Sequence, residues 1–310
     1  MKITVIGSGA VGGYYGATLV RAGHDVTFVA RGVQLAAMRQ HGLTVRGPLG
    51  DFRVDVRATD AAADLGPVDV VLYAVKTYSN AGVRPLLAAA AGDGAVVLTL
   101  QNGVDSIDEV EAVVGKGRAL GGATYIAAAL TEPAVIQQTG VHRRIVFGEP
   151  SARAGRVSAR VRMLDGVLKE ADIVSEPVAN AWVPIWEKFC YLAPFAGFTG
   201  AARLPIGPLW SDAQTRDTMV AAFREVEALA RAERVRLPPG TVARIVRYVD
   251  SLQPTVRSSL LIDLQQGKPT EVEGLLGAVV GRARRRRVRV PIMSALYAVL
   301  KPHAQGAQGS

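Results

Sequence analysis

The chain has 310 residues, 49% of them apolar, and a formal net charge of +9 at pH 7. That length gives a soft expectation of two domains with material for two cores, and no unbroken run of roughly 18 apolar residues offers a membrane span. A single cysteine, Cys190, excludes an internal disulfide and suits a reducing cytoplasm.

The first residues, MKITVIGSGAVGGYYG, run an apolar strand (Ile3 to Ile6) into a glycine loop and then a helix (Ala10 to Ala22). A strand this early leaves no room for a signal peptide. Gly7 allows the tight turn, Gly9 lets a pyrophosphate approach the backbone, and Gly12 lets helix and strand pack closely. The first-turn amides of Ala10 and Val11 then face the phosphates. A purely structural turn is the other reading of such a loop. The second strand, His24 to Ala30, ends in ARG, about 20 residues past the loop, where an acidic residue would select NAD. No carboxylate stands there, and Arg31 offers a planar fork of donors suited to a 2′-phosphate. The expected cofactor is therefore NADP(H); the alternative is a solvent-facing arginine.

Phe52 to Arg57 alternates apolar and charged residues and reads as an edge strand or hairpin arm. Val68 to Val75 and Ala95 to Leu100 are near-continuous apolar runs, as buried parallel strands require. Lys76 follows the first and Gln101-Asn102-Gly103 the second. Further strands are expected at Ala119 to Leu130 and Arg144 to Gly148. Ligands in open α/β sheets sit beyond the carboxyl ends of strands, so Gly9, Arg31, Lys76 and Asn102 are expected along one crevice.

From Trp182 the pattern turns helical, with breaks at Leu204 to Pro208 and Pro238 to Gly240, and i, i+3/i+4 apolar spacing in Met219 to Ala232 and Val242 to Leu252. The expected architecture is α/β: a Rossmann-type NADP-binding domain over residues 1–180, followed by an all-helical domain over residues 181–310 that covers its mouth. Lys188 lies in a stretch that is otherwise almost wholly apolar. It either snorkels to Glu187 or another carboxylate, or faces a polar cavity with a lowered pKa and can pass a proton to a carbonyl oxygen. Ser259 and Asp263 are four apart and share a helix face. Glu271 follows a Gly-Lys-Pro break and either caps the next helix or points into the cleft. All but seven of the 36 basic residues are arginine. Their one run, Arg282 to Arg289, reads as a solvated helix end, favoured by the helix dipole, over a nucleic-acid phosphate site. The last residues, AQGAQGS, read as a frayed tail.

Together GSGAVGGYYG, the ARG after the second strand, AVKT at Ala74, QNG at Gln101, WEK at Trp186, SS…D and TEVE at Thr270 resemble the ketopantoate reductase (2-dehydropantoate 2-reductase) family nearly end to end. The resemblance implies an NADPH-dependent reduction of a 2-oxo acid ketone, ketopantoate to pantoate above others. Lys188 matches the catalytic lysine that supplies the proton, and Glu271 the glutamate that holds the substrate hydroxyl. Ser259 matches the carboxylate-binding serine, and Asn102 and Lys76 the residues that serve both cofactor and substrate. Arg31 matches the 2′-phosphate arginine. No metal is implied. The helical domain's apolar face is expected to support a homodimer, as reductases of this build often form. Three family asparagines are absent: Leu192, Ala196 and Val256 stand in their places, leaving a more apolar pocket and pointing to a different oxo or hydroxy acid as one alternative. A catalytically inactive NADP(H)-binding sensor is the other.

Overall fold

The computed structural model describes residues 1–150 and 155–307. The chain divides into two units, one of residues 1–101 with 106–184, the other of residues 102–105 with 185 onward.

The first unit is built on one ten-stranded sheet: β1 Lys2–Ile6, β2 Asp25–Val29, β3 Leu43–Arg46, β4 Phe52–Val54, β5 Arg57–Thr59, β6 Val70–Tyr73, β7 Val96–Thr99, β8 Ala119–Glu132, β9 Val135–Gly148 and β10 Val174–Val178. Its helices are α1 Ala10–Arg21, α2 Gly32–His41, α3 Asn80–Ala91, α4 Ser106–Val114 and α5 Ala159–Glu170. Six strands run parallel in the order β5-β2-β1-β6-β7-β8. Counted along the chain among themselves these are 3-2-1-4-5-6, the doubly wound arrangement whose ligands bind at the carboxyl ends of the strands. β8 turns antiparallel into β9, β3 lies parallel to the first part of β9, and β10 lies parallel to its last part.

Burial explains the pattern. Val70, Val71, Leu72 and Tyr73 are all shut from water, as a strand covered on both faces must be. Helix α1 buries Tyr15, Ala17 and Leu19, and it sits so close to β2 that a Cβ on Gly16 would collide with the Phe28 ring. The segment expected as one strand at residues 52–57 is two. β4 closes the sheet edge against β3, and β5 joins β2 on the far side, since the chain breaks at Asp55 and Val56. β9 begins at Val135, well before the expected Arg144. Its middle, Thr139 to His142, is exposed and carries no apolar run, which hides the strand from a reading by apolar runs.

The second unit is helical: α6 Trp182–Ala202 (from Ile185 onward), α7 Ile206–Ser211, α8 Ala213–Ala232, α9 Thr241–Asp250, α10 Ser259–Gln265, α11 Ala278–Arg286 and α12 Pro291–Leu300. A π-helical turn, Glu273–Gly277, leads into α11. Trp186, Phe189, Phe223, Val226, Leu276 and Met293 form its fully buried interior, each such side chain contributing about 1.5–3 kcal/mol. The expected frayed tail is corrected in its described part. Ala304 O accepts from Thr270 N at 3.0 Å, and Ala307 N donates to Gly267 O at 3.0 Å. Residues 308–310 lie outside the described residues. No described helix is long and apolar enough to cross a membrane.

Candidate active site

In the sheet unit, β1 delivers Gly7 with φ +101, a conformation that side chains rarely tolerate, and a Cβ there would lie 2.5 Å from Val75 N. A Cβ on Gly12 would collide with the Gly7 carbonyl oxygen, whereas one on Gly9 meets nothing within 4 Å. The loop is therefore packed tight below and open at Gly9, the N-cap of α1, whose side-chain cap is absent. The first-turn amides of Ala10 and Val11 have no acceptor one turn earlier within the helix, so the cradle fits an anion. Two further hydrogen bonds hold it. Ser8 Oγ donates to Val29 O at 3.0 Å, and Gln34 Nε2 donates to Ser8 O at 2.9 Å. Gln34 is in turn fixed by Ala134 N, which donates to its Oε1 at 2.8 Å. Nothing in the sequence pattern singled out Gln34.

Arg31 follows β2 and precedes α2. It is exposed, and its Nη2 donates to Gly82 O at 2.9 Å. Lys76, half-buried, opens a short 3₁₀ turn just past β6. Gln101, past β7, donates to Val75 O at 2.8 Å and to Asn80 Oδ1 at 2.7 Å. Tyr73 donates to the same Asn80 oxygen at 2.9 Å, and Asn80 donates to Glu109. Burial pushes the Tyr73 phenol up, so it stays a donor. This buried network stitches the ends of β6 and β7 together. The cradle and Arg31 fit a phosphorylated dinucleotide: glycine backbone toward the pyrophosphate, a guanidinium and no carboxylate toward the ribose.

If that fit is right, Gly9→Val leaves the melting temperature nearly unchanged and raises the NADPH dissociation constant at least tenfold. Gly12→Ala, by contrast, lowers the melting temperature. Calorimetry and fluorescence titration separate the two effects, and a Gly9→Val protein with normal affinity would overturn the assignment.

In the helical unit, Asn102 stands with Gly103, Val104 and Asp105. Lys188 Nζ donates to Asn102 Oδ1 at 2.8 Å. Burial draws the Lys188 ammonium down to about 8, and the Glu271 carboxylate opposes part of that fall. Glu271 itself is 5% exposed. The neighbouring carboxylate, Glu187, is held from another helix. Arg244 takes Glu187, donating from Nε at 3.1 Å and Nη2 at 2.6 Å. Lys188 and Asn102, both half-buried, and the buried Glu271 thus form one polar cluster beside the apolar body of α6.

Ser258 is the buried cap of α10. Its Oγ accepts from Leu261 N at 3.0 Å and lies 2.7 Å from Thr199 Oγ1. Ser259, the first residue of α10, is exposed. Leu192, one turn past Lys188, is half-buried, and Ala196 is buried. Val256 is half-buried on the segment before α10, and its carbonyl accepts from Ile206 N at 2.9 Å. The arginine run is only partly a solvated helix end. Arg284 to Arg287 are exposed, but Arg282 is withdrawn from water against Asp105. Cys190 is buried and free, its thiol pushed up by desolvation, which makes it inert.

The model of the family described as ketopantoate reductase PanE/ApbA matches residues 3–152, and that of its C-terminal domain matches residues 180–304. The chain belongs to the ketopantoate reductase family. It is an NADP-dependent oxidoreductase with an N-terminal α/β nucleotide domain and a helical C-terminal region. The uncharacterized oxidoreductase YkpB of Bacillus subtilis is 30% identical over 97% of this chain and 98% of its own length. A 2-dehydropantoate 2-reductase of Archaeoglobus fulgidus is 33% identical over 90% of each chain. Among solved structures, 2-dehydropantoate 2-reductase from Geobacter metallireducens matches with a TM-score of 0.90 and 27% identity, over 97% of this chain and 99% of that one.

Proposed function

We propose that this ketopantoate reductase family member reduces the ketone of a 2-oxo acid, 2-dehydropantoate in the first place, using NADPH. The observation that carries the reading is the Lys188 ammonium, held on Asn102 at 2.8 Å and drawn down to about 8. A cation poised near neutrality is an efficient proton donor to a carbonyl oxygen. When bound, NADPH supplies the hydride to the carbonyl carbon. Lys188 donates its proton to the oxygen and becomes the neutral amine. Asn102 orients the ammonium, and Glu271 keeps it charged and accepts a substrate hydroxyl. Gly7, Gly9, Ala10, Val11 and Gly12 hold the pyrophosphate and Arg31 the 2′-phosphate. Lys76 and Asn102 serve both cofactor and substrate, and Ser259 receives the substrate carboxylate. Homodimer formation through the helical unit is part of the same reading, supported by the exposed Val299 on α12.

A second substrate, an oxo acid with an apolar side chain, is favoured by Leu192 and Val256. Neither side chain can hydrogen-bond a polar tail, and a site without such partners loses discrimination for one.

The test is NADPH oxidation against 2-dehydropantoate beside 2-oxo acids with aliphatic and aromatic side chains. Turnover of 2-dehydropantoate with the highest kcat/KM supports the first substrate, and preference for an apolar acid supports the second. Cofactor binding with no turnover of any acid would leave a sensor and sink the reductase reading. Arg31→Glu is expected to reverse the preference for NADPH over NADH, checked by kcat/KM with each.

A further inference from the structure

Arg282 lies on α11, where its side chain is 11% exposed, in contrast to the exposed Arg284 to Arg287 that follow. It reaches the segment carrying Asn102. Nε donates to Asp105 Oδ1 at 2.8 Å, Nη2 lies 2.6 Å from the same oxygen, and Nη2 donates to Val104 O at 2.9 Å. Nη1 stands 3.7 Å from Glu233 Oε1, and Arg286 Nη2 donates to Glu233 Oε2 at 2.9 Å. Glu233 is thus a shared anion that aims Arg282 from behind. Burial alone would raise the Glu233 carboxyl, but the Arg286 hydrogen bond and the Arg282 charge bring it below the usual carboxylate range.

A guanidinium that grips a carboxylate and a carbonyl together fixes two points of a short loop, because its donors are rigid and coplanar. A third point is steric. Gly103 has φ +108, and a Cβ there would lie 2.9 Å from Gly274 O, on the π-helical turn just after Glu271. The loop is therefore seated between Arg282 and that turn, with no slack for the residue before Gly103. That residue is Asn102, whose Oδ1 accepts the Lys188 proton.

We propose that Arg282 is a positioning residue for proton transfer, holding Asp105 and Val104 so that Asn102 Oδ1 stays on the Lys188 ammonium. It rests on the reading of Lys188 as proton donor. Asn102 and Glu271 both face that ammonium, so a change in the first with the second untouched reports on the loop. A shift of about 1 Å in a positioned group costs on the order of 10²-fold in rate.

The experiment is steady-state kinetics of Arg282→Gln and Arg282→Lys across pH, with melting temperatures measured alongside. Arg282→Gln is expected to lower kcat about 10–100-fold, with a much smaller change in KM. It should also move the descending limb of kcat to lower pH by about one unit, because the ammonium loses an acceptor that favours it. Arg282→Lys, which keeps the charge but not the fork, should recover part of both effects. If Arg282→Gln does not fold, Asp105→Asn carries the same expectations with a smaller perturbation.

A variant with a lower melting temperature but unchanged kcat and pH limb would reduce Arg282 to a structural tie and overturn the proposal. So would losses from Arg282→Gln and Asn102→Ala that simply multiply in the double variant, since residues acting through one contact do not. A fully active Lys188→Ala would remove the proton-donor reading and the proposal with it. An inactive Lys188→Ala beside an unperturbed Arg282→Gln would remove the proposal alone.

Discussion

Lys188→Ala is expected to lower kcat by about 10²–10⁴-fold, the usual worth of a positioned general acid, while NADPH binding survives. The reason is local. The ammonium donates to Asn102 Oδ1, and the Glu271 carboxylate supports its charge, so it is the acid of this cluster. Its pH signature follows from the value near 8. Reduction requires the charged lysine, so kcat is level below about 8 and falls as pH rises through it. The reverse oxidation requires the neutral amine and rises over the same range. Lys188→Ala should erase that limb as well as the rate. A surviving limb near 8, or undiminished turnover, would remove Lys188 from the reaction. The same shift has a stability consequence. With a folded value below the ordinary 10.5 of lysine, the unfolded chain binds the proton more readily between the two values. Stability therefore rises with pH through that window, and Lys188→Ala should flatten the rise in denaturant midpoints.

Glu271→Gln is the second large effect. The substitution keeps shape and removes the charge that supports the Lys188 ammonium. An opposite charge at close range holds a lysine up by roughly 1–3 units, so its loss should move the kcat limb below 8, by about one unit or more. In the proposed role Glu271 also accepts a substrate hydroxyl. Losing that charged hydrogen bond, worth about 1.5–3 kcal/mol, should raise KM roughly 10–100-fold. Rate–pH profiles and KM from one data set read both. A limb that stays in place, or moves to higher pH, would mean that Glu271 does not act on Lys188. An unchanged KM would mean that it does not touch the substrate.

Both experiments probe a site that was only partly legible in the chain. The Gly7 to Gly12 loop could be read directly because its demands are local. A positive φ at Gly7 and a Cβ-free contact between Gly12 and Gly7 belong to residues five apart, and only glycine meets them. The absence of a carboxylate at Arg31 was legible for the same reason. Lys188 was suggestive as an isolated polar residue in apolar surroundings, and Glu271 as an acid just past a Gly-Lys-Pro break, yet their roles came from resemblance to the family. The pairing partner of Lys188 could not be read at all. Glu187 was the nearest carboxylate along the chain, but Arg244, 57 residues on, takes it. Asn102, which accepts from Lys188, is 86 residues away.

The arginine run and the tail are the cases in which composition misled. Five arginines in six positions, Arg282 and Arg284 to Arg287, look like one solvated patch, and most of them are. Arg282 differs because α11 turns it inward to Asp105, 177 residues earlier in the chain. The first residues of the tail are polar and small, yet they are ordered by backbone bonds to Gly267 and Thr270, which no side-chain pattern records.

What the chain by itself determined is the alternation of apolar strand and helix, the tight glycine loop and the absence of a carboxylate at Arg31. These depend on backbone sterics and on charge within a few residues. What only the tertiary structure decided is which distant groups come together: Asn102 with Lys188 and Glu271, and Arg282 with Asp105. A side chain's pKa and aim are set by whatever folding brings to within a few ångströms, and sequence separation carries no information about that distance.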